Sequence, residues 1–262
     1  SNTISDISLL SNLTRLHTLT MRYMEIDDLG SVAALTNLRY LNVNTNNITD
    51  ITPLSGLTSL NSLFLSRNQI SDLTPLLHLT ALNKLHIGRN RITDFTLLSN
   101  LTELQELILF SNTISDLSFL EGMVNLTFLN LTNNDITHIS PLTGLINLST
   151  LFIGNNNISD LTPLSTLPDI SFLILSSNLI SDIDPLTNLT KLNFLDLRNN
   201  MISDFSPLED LDIDSLYISD QFPPQPVIHF PDPNLEMTVR EYIGKPVGDI
   251  SNSDVNGIKS FN

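Results

Sequence analysis

The chain has 262 residues, 41% of them apolar, no cysteine, and a formal net charge of −16 from 12 basic and 28 acidic side chains. That balance excludes the clustered Lys and Arg a nucleic acid would need, and the missing thiols exclude disulfides and thiolate metal sites. No run approaches the roughly 18 consecutive apolar residues of a transmembrane helix, so membrane insertion is not expected; the acidic surface suits solubility or a basic protein partner.

From its first residues onward the chain repeats itself. The pattern is L-x-x-L-x-L-x-x-N-x-I-S/T-D-L/I-x-P-L-x-x-L-T-x, and its first apolar position falls at Leu16, Leu38, Leu60, Leu82, Leu104, Leu126, Leu148, Ile170 and Leu192, always 22 residues apart. The asparagine recurs at Asn2, Asn46, Asn68, Asn90, Asn112, Asn134, Asn156, Asn178 and Asn200, with Met24 in its place once. Proline recurs at Pro53, Pro75, Pro141, Pro163, Pro185 and Pro207, replaced elsewhere by Ser31, Leu97 and Phe119. Repeats of this length mean a stack of small units, none able to bury its own apolar face alone.

Each position has a physical reading. The L-x-x-L-x-L stretch ends in period-two alternation, which predicts a short strand with one face buried. Copies of it pair in parallel. The asparagine stands where the chain leaves the strand, and its amide can donate to and accept from turn backbone. The Asp-Leu-Thr-Pro segment resembles a helix start, with Asp as cap and Pro in the first turn. Only about eight residues remain for it, which predicts a short 3₁₀ turn or one to two helical turns. The fold class is therefore a right-handed leucine-rich-repeat solenoid, with a parallel sheet on its concave face and short turns on its convex face.

Strand positions pointing away from the core are offsets +2, +4 and +6 from the first leucine. The repeat leaves them free, so their occupants are informative. Ile108, Phe110, Phe128, Phe152, Phe172, Ile174 and Phe194 predict an apolar, aromatic patch over the second half of the sheet. Tyr40 and Phe64 stand in a more polar first half beside Arg22, Lys84, His86 and Arg89. Tyr217 extends the surface in a last repeat where Ile213-Asp-Ser-Leu-Tyr-Ile218 arrives one residue early. Clustered solvent-facing aromatics point to protein binding, although aromatics also form strands well and cover cross-strand neighbours.

The row Asp28, Asp50, Asp72, Asp94, Asp116, Asp160, Asp182 and Asp204 offers one carboxylate per turn. Calcium wants six to eight oxygens, so the row reads as turn capping. The histidines lack metal-ligand spacing, and no phosphate loop, nucleophile elbow or paired carboxylate is present. Neither catalysis, nor a metal, nor a cofactor is expected.

Units such as Asn68-Gln-Ile-Ser-Asp-Leu-Thr-Pro-Leu76 and Asn156-Asn-Ile-Ser-Asp-Leu-Thr-Pro-Leu164 resemble the repeats of the bacterial internalin-type proteins. That resemblance covers about residues 1–211. It implies a secreted or surface-anchored bacterial protein, active in recognition or adhesion, that binds a protein, for example a host protein, through its concave sheet. Two alternatives stay open: an intracellular scaffold or regulatory subunit, and a self-assembling structural spacer. No signal-peptide pattern opens the chain, so an export signal is expected to lie outside it.

The repeats are expected to occupy residues 1–220, followed by a Pro-rich linker over 221–229 and a helical, cap-like segment over 230–262. Leu235, Val239 and Tyr242 or Ile243 have helical spacing, and Ile258-Lys-Ser-Phe261 matches the start of a first strand. This segment resembles the cap that precedes bacterial leucine-rich-repeat arrays. Three explanations compete: a piece of a tandem protein, a permuted order, or head-to-tail association in which residues 230–262 of one molecule cover the open end of the next.

Overall fold

A computed structural model describes residues 7–222 and, beyond them, Met237 and Val239. Contacts divide the chain into two units, residues 1–221 and 222–262, of which the first holds the repeats. The linker beyond Phe222 and the cap-like segment lie outside the described residues, apart from Met237 and Val239, which are both helical.

Every repeat supplies a strand of three residues: β1 (Thr18–Thr20), β2 (Tyr40–Asn42), β3 (Ser62–Phe64), β4 (Lys84–His86), β5 (Glu106–Ile108), β6 (Phe128–Asn130), β7 (Thr150–Phe152), β8 (Phe172–Ile174), β9 (Phe194–Asp196) and β10 (Ser215–Tyr217). They form one sheet in chain order. All neighbours are parallel, and Leu41 faces Leu63 as Leu63 faces Leu85. The last pair is one residue short of the period, placing Tyr217 opposite Asp196. This is the leucine-rich-repeat solenoid that the period predicts.

The apolar positions of the repeat converge inward. In one unit Leu126, Leu129, Leu131, Ile136, Ile139, Leu142 and Leu145 are all 2% exposed or less. Each such side chain contributes roughly 1.5–3 kcal/mol through burial, and packs against the units above and below as well as its own. The return path is a 3₁₀ turn of three to five residues in every unit, as in Thr52–Leu54 and Ser140–Gly144, because eight residues leave no room for a longer helix.

The aspartate row acts on these turns, but not as a direct cap. Ile51 is the capping residue of the Thr52–Leu54 turn and makes no side-chain cap. Asp50, one residue earlier, accepts the Thr52 N–H at 2.8 Å, and Asp72 and Asp160 do the same for Thr74 and Thr162. These are Asx turns. Hydrogen bonds from the hydroxyl and N–H of Thr52 hold the Asp50 carboxyl below its ordinary range, with the same cause at Asp72 and Asp94.

A ladder of buried amides joins the units. Asn156 donates to the carbonyls of Leu131 at 3.1 Å and Ile153 at 3.0 Å, one in the unit before and one in its own. Its side-chain oxygen accepts the Ile136 N–H at 3.1 Å. Asn46, Asn68, Asn134, Asn178 and Asn200 repeat the arrangement. Gln221, at the expected start of the linker, supplies the last rung: it donates to Leu197 at 2.9 Å and Ile218 at 3.0 Å and accepts the Ile202 N–H at 3.1 Å. The repeat therefore runs through Gln221. One residue missing from the last unit brings Gln221 to the rung position, and its longer side chain carries the same amide.

The residue before each rung is left-handed. Tyr23, Thr45, Arg67, Arg89, Ser111, Asn133, Asn155, Ser177, Asn199 and Asp220 all have φ between 53° and 60°. Asn and Asp tolerate this region, whereas a β-branched residue is strained there. Replacing Asn156 by alanine leaves the buried Ile136 N–H without its acceptor and takes one of two donors from the Leu131 and Ile153 carbonyls, which keep Asn134 and Asn178, and should lower the unfolding free energy by about 2 kcal/mol in urea titration. Thr45→Asn removes the β-branched residue from the left-handed position, and should raise it by about 1 kcal/mol in the same measurement.

Candidate functional site

The strand face turned away from the core carries every aromatic residue that the sequence singled out. Five rings run side by side along the second half. Phe128 meets Phe152 edge to face with centroids 5.2 Å apart, Phe152 meets Phe172 at 5.4 Å, and Phe194 meets Tyr217 at 5.4 Å. Phe172 and Phe194 are register partners on β8 and β9, and their rings stack at 3.9 Å with 6° between planes. Ile174 pairs in register with Phe152. All of these are half-buried except Tyr217, which is 43% exposed. Parallel pairing at about 4.8 Å brings side chains of successive strands within ring contact, so aromatics placed one per unit become a continuous strip.

Tyr40 and Phe64 are not part of that strip. They form a separate group in the first half, with Tyr40 5.0 Å from Phe64 and Phe64 edge-on to His86 at 4.3 Å. Between the groups stands a charged cluster. Glu106 accepts from Lys84 at 2.6 Å and contacts His86 Nε2 at 2.7 Å. Burial pushes the Glu106 carboxyl up, but the hydrogen bonds from Lys84 and His86 outweigh it and the net shift is downward. Burial also pulls the His86 imidazole below its ordinary range, against the pull of Glu106. Near neutral pH His86 is therefore a neutral ring donating Nε2–H to a carboxylate, and the formal ion pair is a hydrogen bond.

Ile108 and Phe110 lie on the second-half side of that cluster. Phe110 leans back over β4: a Cβ added at Gly88 would sit 2.5 Å from its ring. The Arg67 guanidinium covers the same ring at 5.8 Å. Arg67 was outside the set of surface positions because alternation counts it as the end of the strand. Its left-handed φ of 59° turns the chain after Ser66, and no single-strand pattern shows that turn. At the other end, Arg198 grips the buried Asp196 with two bonds of 2.9 and 2.7 Å and lies 5.1 Å over the Tyr217 ring. Burial pushes the Asp196 carboxyl up, and Arg198 more than offsets it, holding the group below its ordinary range.

This surface offers apolar rings and a few oriented polar groups, the composition of a binding face. Among the described residues no cluster of His, Asp and Glu could hold a metal ion, and no helix is long and apolar enough to cross a membrane.

A family model described as leucine-rich repeats in two copies matches residues 36–78, 58–100, 124–166 and 168–210. Among solved structures, an internalin (InlF) of Listeria monocytogenes is 40% identical with a TM-score of 0.80, over 83% of this chain and 64% of that one. Internalin C2 of the same species is 37% identical with a TM-score of 0.70, over 80% of this chain and 92% of that one. A leucine-rich-repeat protein of Leptospira interrogans is 25% identical with a TM-score of 0.73, over 93% of this chain and 62% of that one. Comparison with curated protein sequences gives no match.

The last of the three outward rows, at offset +6, holds glycine at positions 88 and 154. A Cβ at Gly154 would come 2.9 Å from the Ser176 carbonyl, a backbone atom that cannot swing aside. A Cβ at Gly144, on the convex side, would meet nothing within 4 Å. Gly154→Ala should therefore cost about 1–3 kcal/mol in chemical denaturation, while Gly144→Ala stays within about 0.5 kcal/mol of the parent.

Proposed function

The chain belongs to the internalin-type leucine-rich-repeat proteins, and on that premise we propose that it is a bacterial recognition protein that binds a protein ligand on the concave sheet. The carrying observation is the ring strip Phe128, Phe152, Phe172, Phe194 and Tyr217, contiguous over five strands. The core does not need aromatics on β6 to β9, since Leu129, Leu151, Leu173 and Leu195, each one residue away, are already buried. Rigid aromatic anchors beside an Arg are the side chains that dominate protein interfaces. Ile108, Phe110 and the Tyr40–Phe64 pair extend the surface toward the first repeats. Catalysis has no part in this function. The protein acts outside the cell or at its surface, in recognition or adhesion, and a host protein is the partner class that the family supports.

A second reading concerns the first described turn, where Leu9 and Leu13 are 80% and 50% exposed. A second copy covering them through residues 230–262 gives head-to-tail association; sedimentation at rising concentration distinguishes the two, since a constant monomer mass rules it out.

The main reading is tested with a panel of secreted and surface proteins from candidate hosts, in a label-free binding assay. The double variant Phe152→Ser, Phe172→Ser should keep the circular dichroism of the parent. It should weaken any partner by about 100-fold, the effect of losing one to two anchors of about 2 kcal/mol each. Unchanged affinity, or protection from hydrogen exchange confined to the convex turns, would sink the proposal.

A further inference from the structure

The first half of the same face carries a feature that the aromatic strip does not explain. Between β1 and β5 lies a hollow of about 170 Å³. That is close to the ~150 Å³ of an engineered cavity that accepts a benzene ring, so one small side chain fills it. It exists because the outward row at offset +6 is small in the middle: Asn44, Ser66 and Gly88 stand between Arg22 and Phe110. Phe110 closes one side by lying over Gly88. Arg22 and Arg67 stand on the rim.

The hollow gathers several hydrogen-bond donors. Ser66 is 6% exposed, and its hydroxyl is buried with no hydrogen-bond partner. Among the described residues it is the one buried side-chain polar atom so placed. A buried hydroxyl without a partner is destabilising, which is tolerable where a ligand supplies the missing bond. The Asn44 side-chain oxygen already accepts the Ser66 N–H at 2.7 Å, which turns the Asn44 amide NH₂ outward with no partner among the described residues. Among the described residues Arg67 makes no ion pair, and its guanidinium covers the Phe110 ring. No carboxylate lines the hollow, although the chain as a whole carries −16. Glu106, the acid on the neighbouring strand face, is occupied by Lys84 and His86.

We propose that this hollow is an anion subsite, in which Arg22, Arg67, the Ser66 hydroxyl and the Asn44 amide receive the carboxylate of an Asp or Glu side chain on the protein partner. Convergent donors with two guanidinium groups favour an anion. The apolar wall of Ile108 and Phe110 suits the methylene stem of an acidic side chain and is wasted on a bare inorganic ion. The subsite rests on the concave face being the recognition surface, and adds what the aromatic strip lacks: a fixed polar point that sets the partner's register along the solenoid. It gives a preference for a partner loop with an acidic residue, about four strands from the aromatic anchors.

The test uses the full chain labelled with ¹⁵N and three probes: N-acetyl-glutamate methylamide, its glutamine counterpart, and inorganic phosphate. The glutamate probe should shift the Ser66 and Arg67 amides saturably, the glutamine probe should not, and phosphate should bind more weakly than the glutamate probe. Arg67→Gln and Ser66→Ala should each weaken the glutamate probe by about tenfold. Ser66→Ala should at the same time raise the melting temperature, because it removes an unpartnered buried hydroxyl; a purely structural serine would not combine those effects. Equal binding of the glutamine probe, tighter binding of phosphate, or a Ser66→Ala chain with parent affinity or a lower melting temperature overturns the assignment. The Phe152→Ser, Phe172→Ser chain should bind the glutamate probe as the parent does. Partner binding lost there with probe binding kept, or the reverse, separates failure of the subsite from failure of the strip.

Discussion

The structure depends on one constraint: each turn of the solenoid leaves backbone N–H and C=O groups inside the stack, and from Asn46 to Gln221 a side-chain amide in each unit satisfies them. Asn156 serves the backbone of its own unit and of the one before, so the rung is at once a local turn and a joint between units. A side chain that both donates and accepts suits this position, which is Asn or, where one residue is missing, Gln221, with Met24 the exception near the start of the stack. The fixed spacing of strands, the in-register leucines and the uniform outward rows all follow from rungs at a constant interval.

The rungs also impose a local penalty. The residue before each of them is left-handed whatever its type, from Asn133, which accepts the conformation readily, to Thr45, which does not. Stacking energy from both neighbours outweighs the strain of single units, as expected where stability is a sum over interfaces between repeats. The left-handed residue redirects the chain out of the sheet. In the first repeats this brings Arg67 back over Phe110 and onto the rim of the hollow.

Function on this scaffold is a matter of what fills positions that the rungs and the core leave free. The second half of the sheet presents rings in contact; the first half presents a hollow of donors, with the Lys84–Glu106–His86 cluster between them. In the proposed reading, rings anchor the partner and the donors set its register, at two separate points along the sheet.

The sequence by itself determined the solenoid, its period, the buried leucines and the outward identity of Phe128, Phe152, Phe172 and Phe194, because period-22 repetition and period-two alternation are properties of the linear chain. The asparagine was legible as a ladder residue for the same reason. Only the tertiary structure decided which outward residues touch. Tyr40 and Phe64 belong to His86 and not to the main strip, and Tyr217 joins that strip through a shortened last repeat. Gln221 reads as linker until the register of β10 carries it to the rung position. Arg67, Ser66 and Gly88 carry no signal singly. Their meaning arises because parallel pairing brings residues 22 apart into contact, so that a missing side chain on one strand becomes room for a ring from the next.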